Sequence, residues 1–160
     1  LLVFNGAPTP ERVIAVDPTS GSVLATLNLA ENHDLTAGIF DPATGHLLLL
    51  QGNRNALVEV DPLTGATLGS RSLDGVANIG YSAGLTIDPV TGNLWIGSYY
   101  GRATLSEINR SGSLVRTVNL ESQGVDGYEI TGLAFDTDGK LLVASTQGVI
   151  YKVNPSLMPL

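Results

Sequence analysis

The chain has 160 residues, enough for one domain with its own core, and carries a net charge of −7 with only 8 Lys and Arg. That balance repels phosphate backbones and anionic lipid, which argues against a nucleic-acid partner or a membrane-surface role. Cysteine is absent, so there is no disulfide framework, and apolar runs such as Leu47–Leu50 fall far short of a membrane span. The 19 Gly and 8 Pro, with a large apolar fraction, fit an all-β chain rich in tight turns rather than a disordered one. The sequence begins at Leu1 without an initiator Met or a signal peptide, and reads as a piece of a larger protein.

Taken in order, the sequence is a series of short apolar or alternating runs bounded by turn residues, the pattern of β-strands. Residues 1–29 supply three: Leu1–Phe4, Arg12–Asp17 and Ser22–Leu29. Residues 35–73 supply four: Leu35–Asp41, Gly45–Leu50, Ala56–Val60 and Ala66–Leu73. Residues 82–120 repeat those four, with Gly84–Ile87, Asn93–Gly97, Thr104–Ile108 and Leu114–Val118, and residues 130–154 give three more. The first-strand ends Asp41, Asp88 and Asp136 recur at about 47 residues, as do the third-strand ends Asp17, Asp61, Asn109 and Asn154. Four consecutive strands at that period predict an all-β protein of propeller type, spanning residues 1–160 as about three and a half four-stranded blades.

Four turns share one mechanism: Asp17-Pro18-Thr19-Ser20-Gly21, Asp41-Pro42-Ala43-Thr44-Gly45, Asp61-Pro62-Leu63-Thr64-Gly65 and Asp88-Pro89-Val90-Thr91-Gly92. Asp bonds the backbone ahead of it, Pro presets φ, and Gly takes the positive φ that closes the hairpin. Asn109-Arg110-Ser111-Gly112 and Asp136-Thr137-Asp138-Gly139 do the same without Pro. The last lacks the spaced ligands and closing Glu of an EF-hand and reads as a plain turn.

Arg12-Val13-Ile14-Ala15-Val16-Asp17-Pro18-Thr19-Ser20-Gly21 resembles a YVTN-type repeat, and the stretches Gly84–Ile96 and Gly132–Val143 resemble NHL and SMP-30-like propeller repeats. The resemblance implies a ring of six or seven blades, roughly 280–330 residues at this period. It implies little about function, because this fold hosts lactonases, phytases, lyases and interaction modules.

The turns above join strands one to two and three to four, so they share one end of the blades. The loops at the other end vary in length and chemistry, and binding residues concentrate on variable loops held by a rigid scaffold. That end carries Asn53, Arg54, Tyr81, Tyr99, Tyr100, Arg102 and Tyr128 as a binding face for a protein, peptide or carbohydrate. Asp34, Tyr81 and Glu129 occupy equivalent positions just before the first strand, and His33 reads as a surface loop residue. Resemblance to SMP-30-like lactonases implies a divalent cation, Ca²⁺ or similar, held here by Asp34 and Glu129 with Asn78 or Asn53 as an amide ligand, polarising a lactone carbonyl. His33 and His46 lie at opposite ends of their blades, and no Ser-His-Asp set assembles. These features favour a non-catalytic ligand- or protein-binding module of a larger, exported bacterial protein, extracellular or periplasmic. The alternative is a metal-dependent SMP-30-like lactonase or hydrolase.

Overall fold

Turn chemistry sets the strand lengths. The computed structural model of the chain describes residues 1–6, 10–80, 83–98, 103–125 and 129–155. In each Asp-Pro turn the Asp carboxylate accepts the amide two residues on, from Thr19 at 2.8 Å, Ala43 at 3.0 Å, Leu63 at 2.7 Å and Val90 at 2.8 Å. The Asp carbonyl accepts the glycine amide at 2.8–2.9 Å, and the glycine lies at φ +73° to +78°. Few side chains reach that φ without strain. Asn109 and Asp136 close a turn one residue tighter, accepting from Gly112 and Gly139 at 2.9 and 3.0 Å.

Two compact units result, residues 1–72 and residues 73–160. The first holds a three-stranded sheet, β1 (Leu2–Asn5), β2 (Arg12–Val16) and β3 (Val23–Asn28), and a four-stranded sheet, β4 (Leu35–Asp41), β5 (His46–Gln51), β6 (Ala56–Val60) and β7 (Thr67–Ser72). The second holds β8 (Leu85–Ile87), β9 (Leu94–Gly97), β10 (Thr104–Ile108) and β11 (Leu114–Asn119), then β12 (Ile130–Phe135), β13 (Leu141–Ser145) and β14 (Ile150–Val153). Every sheet is an antiparallel meander in chain order, the architecture expected from the turns. Short 3₁₀ turns at Gly52–Arg54 and Glu121–Gln123 are the helical pieces among the described residues.

The register repeats as well as the strands. Pairing shifts by one residue at Ala15/Val16, Glu59/Val60 and Glu107/Ile108, the same place in three third strands. A second shift recurs at the start of two first strands, at Leu35/Ala37 and Ile130/Gly132. Bulges of this kind bend and twist a sheet.

The cores lie between sheets. In the first unit Val13, Leu29, Leu47, Leu49, Val58 and Val60 pack together with Phe4 and Leu35 at their edge. In the second, Trp95, Leu105, Val118, Leu120, Ile130, Leu141 and Val143 form the counterpart. Inner strands approach closely: a Cβ on Gly84 would sit 2.8 Å from the Gly132 carbonyl carbon, so a glycine is sterically required there.

Candidate functional site

The turn end is built from self-satisfied polar groups. The penultimate residue of each later third strand reaches back to the first hairpin of its own sheet. Glu59 meets His46 Nδ1 at 2.6 Å, Glu107 accepts from Asn93 Nδ2 at 2.6 Å, and Lys152 bonds Asp136 at 2.7 Å and Asp138 at 3.0 Å. The Lys152 ammonium, followed by the Thr137 amide, holds the Asp136 carboxyl below its ordinary range and is likewise the main cause at Asp138, while Asp136 and then Asp138 raise Lys152. The amides of Thr19 and Leu63 are the main cause lowering Asp17 and Asp61. Asp136-Thr137-Asp138-Gly139 is thus a turn whose two carboxylates serve an ion pair.

One cleft opens at this end, of about 220 Å³, lined by Asp88, Glu107, Arg116, Phe135 and Pro155 among others. Arg116 spans it, bonding Glu107 Oε2 through Nε at 2.7 Å and lying 5.0 Å from the Trp95 ring centroid. Trp95 is wholly buried, as its mid-strand position predicts, and its Nε1 has no hydrogen-bond partner among the described residues. Sequence reasoning placed nothing functional here. The ion pair follows from cross-strand register, Glu107 opposite Arg116, and not from a motif.

The opposite end is irregular. The three non-glycine residues with left-handed backbone among those described, Asp34 (φ +48°), Asn55 (φ +46°) and Ala103 (φ +32°), all lie there. Asn55 and Ala103 share one repeat position, the residue before the third strand, and in the last sheet its equivalent is Gly148, two residues before β14, at φ +76°. Asn53 and Arg54 are exposed on the 3₁₀ turn that Asn55 terminates, where the sequence placed them. Asp34 and Glu129 are partly exposed and equivalent in the backbone, since Gly52 N donates to Asp34 O at 3.0 Å and Thr146 N to Glu129 O at 3.1 Å. Asn78 is exposed, and its carbonyl accepts from the Ser98 hydroxyl at 2.8 Å. Tyr81, Tyr99, Tyr100, Arg102 and Tyr128 lie outside the described residues. No three His, Cys, Asp or Glu side chains are gathered as metal ligands among the described residues.

Beneath Asp34 is a feature the sequence reading missed. Glu11 is fully buried, and its carboxylate accepts the amides of His33 at 2.6 Å and Leu35 at 2.9 Å. Its backbone carbonyl accepts from Leu29 at 2.9 Å. A buried carboxylate is tolerated when its oxygens are occupied in this way. His33, expected at the surface, is 2 % exposed, because Glu11 draws its backbone inward and its Nε2 lies 3.4 Å from Thr67 Oγ1. The one available signal was positional: Glu11 stands where Asn55, Ala103 and Gly148 stand in the later repeats.

Solved structures share this fold. A catalytically inactive virginiamycin B lyase from Staphylococcus aureus with quinupristin aligns over 91% of this chain and 46% of its own, at TM-score 0.60 and 16% identity. A streptogramin B lyase aligns over 91% and 49%, at TM-score 0.56 and 13% identity. The fold is a β-propeller. Kuenenia stuttgartiensis hydrazine synthase also aligns, over 82% of this chain and 35% of its own, at TM-score 0.52 and 14% identity. The chain therefore spans about a third to a half of the length of these structures. Neither a protein-family model nor a curated protein matches the sequence.

Proposed function

We propose that this chain is a ligand- or protein-binding part of a larger exported bacterial propeller of the NHL, YVTN and SMP-30-like kind, acting without catalysis through its irregular loop end. The observation that carries this reading is the contrast between the two ends. At the turn end the Asp of each Asp-Pro turn, with Glu59, Glu107 and Lys152, is spent on its own sheet. At the loop end Asp34, Asn55 and Ala103 hold left-handed backbone, and strained backbone that the scaffold maintains tends to mark sites of interaction. Exposed Asn53 and Arg54 offer amide and guanidinium donors beside it, suited to a peptide carbonyl, a carboxylate or a sugar hydroxyl.

The test is capture on peptide and glycan arrays by the chain and by its Arg54→Ala and Asn53→Ala variants. The reading expects binding that either variant weakens while the unfolding midpoint stays within about 2 °C. Binding that survives both changes but is lost on Val90→Asp, at the turn end, would move the site and sink the reading. The metal-dependent hydrolase remains a second reading because Asp34 and Glu129 share a backbone position in two repeats.

A further inference from the structure

We propose that Asn109 is an acceptor for an N-linked glycan, an inference that rests on the exported reading above. Among the asparagines of the chain, Asn109 alone is followed two residues later by Ser or Thr with a residue other than proline between, as Asn109-Arg110-Ser111. That spacing marks the acceptor of N-linked oligosaccharide in exported chains. Asn154 holds the same repeat position in the last sheet, but its triplet is Asn154-Pro155-Ser156, and the proline rules it out. Asn109 lies on the turn between β10 and β11, partly buried, with Arg110 and Ser111 exposed.

The turn uses the oxygen of this carboxamide and leaves its nitrogen over. Oδ1 accepts the amides of Ser111 at 3.0 Å and Ser113 at 2.9 Å, and the Ser111 hydroxyl at 2.6 Å. Two backbone donors on one atom identify that atom as the oxygen. The Nδ2 group donates to nothing among the described residues. Asp17 and Asp61 do the same work in their turns with carboxylates, so the turn needs an acceptor and has no use for the NH2 group. The Ser111 hydroxyl also draws electron density toward Oδ1, which makes the Nδ2 protons easier to remove. Transfer forms a bond from Nδ2 to the anomeric carbon of an oligosaccharide carried on a lipid diphosphate. The anomeric C–O bond breaks, the lipid diphosphate leaves with the electron pair, and one Nδ2 proton passes to a base of the transferase. Oδ1 keeps its three bonds, so the hairpin survives the modification. The glycan sits at the turn end of its blade, away from the irregular loops.

The test gives the purified, folded chain to an oligosaccharyltransferase with a lipid-diphosphate-linked oligosaccharide and reads the intact mass. A gain of a single oligosaccharide is expected, mapped to Asn109 by peptide digestion. Asn109→Asp keeps the acceptor oxygen that Asp17 and Asp61 supply in their turns, and Arg110→Pro restores the proline that follows both of them. Both variants should unfold at the wild-type temperature and lose the mass gain entirely. Absence of transfer to the wild-type chain, while a short acceptor peptide in the same reaction is modified, overturns the proposal. So does a gain that Asn109→Asp retains. Recovery of the native protein unmodified from the cytoplasm overturns the exported reading and the acceptor role together, a result distinct from failure in the purified reaction.

Discussion

Gly65 and Gly45 occupy the same place in their turns, yet alanine should be far more harmful at Gly65. Both lie in the left-handed region, at φ +73° and +78°. Alanine there costs about 1–2 kcal/mol in backbone strain, partly offset by about 0.4–1 kcal/mol from a less flexible unfolded chain. A Cβ on Gly45 meets nothing within 4 Å, so Gly45→Ala should cost about 1 kcal/mol. A Cβ on Gly65 would overlap the Asn28 carbonyl oxygen and lie 3.3 Å from Leu29 Cα. Both neighbours are backbone, so the turn must retreat. Retreat breaks the Ala30 N–Gly65 O bond of 3.0 Å, a loss of about 0.5–1.5 kcal/mol, and adds about 1–3 kcal/mol of overpacking. The total is about 3–4 kcal/mol. For a chain of this length that lowers Tm by roughly 10 °C, against roughly 3 °C for Gly45→Ala. Parallel thermal scans of the two variants decide the matter. Equal losses would refute the claim that the third-to-fourth turn rests on the preceding sheet.

Two further outcomes follow from the buried and paired carboxylates. Glu11→Ala strips acceptors from two amides, His33 and Leu35, and should destabilise the chain by about 2–5 kcal/mol, while Glu11→Gln, which keeps one acceptor oxygen, should cost clearly less; urea midpoints measure both. The folded pKa values of Asp17, Asp61, Asp136 and Asp138 are depressed, so their stabilisation is present above the unfolded value near about 3.9 and is lost as pH falls through the lower folded values. Lys152 is raised, so its share is complete below about 10.4 and is lost as pH rises through the folded value. Carboxyl chemical shifts followed by NMR from pH 6 to pH 2 should show all four Asp titrating below free Asp, and Lys152→Met should bring Asp136 and Asp138 back toward it while leaving Asp17 in place.

Much of the architecture was legible because it is written locally. Asp, Pro and Gly at fixed offsets determine where each hairpin closes, and alternation between them marks the strands, so the three-, four-, four- and three-stranded sheets follow from residues adjacent in sequence. The site was legible only in outline. Asn53 and Arg54 are exposed on the expected end because loop position alone decides it. His33 went the other way, since its burial depends on Glu11, 22 residues earlier in the chain, and no local pattern announces that bond. Arg116 and Glu107 meet through strand register, and the bulge beside Glu107 that adjusts it leaves no composition signal. Left-handed backbone at Ala103 is equally silent, because alanine is no marker for positive φ.

The most direct test of the functional account is calorimetric titration of the metal-stripped chain with Ca²⁺, alongside its Asp34→Ala and Glu129→Ala variants. The binding-module account predicts no stoichiometric heat that depends on either carboxylate. Tight binding of one Ca²⁺ abolished by either substitution would contradict it and establish the metal-dependent reading in its place.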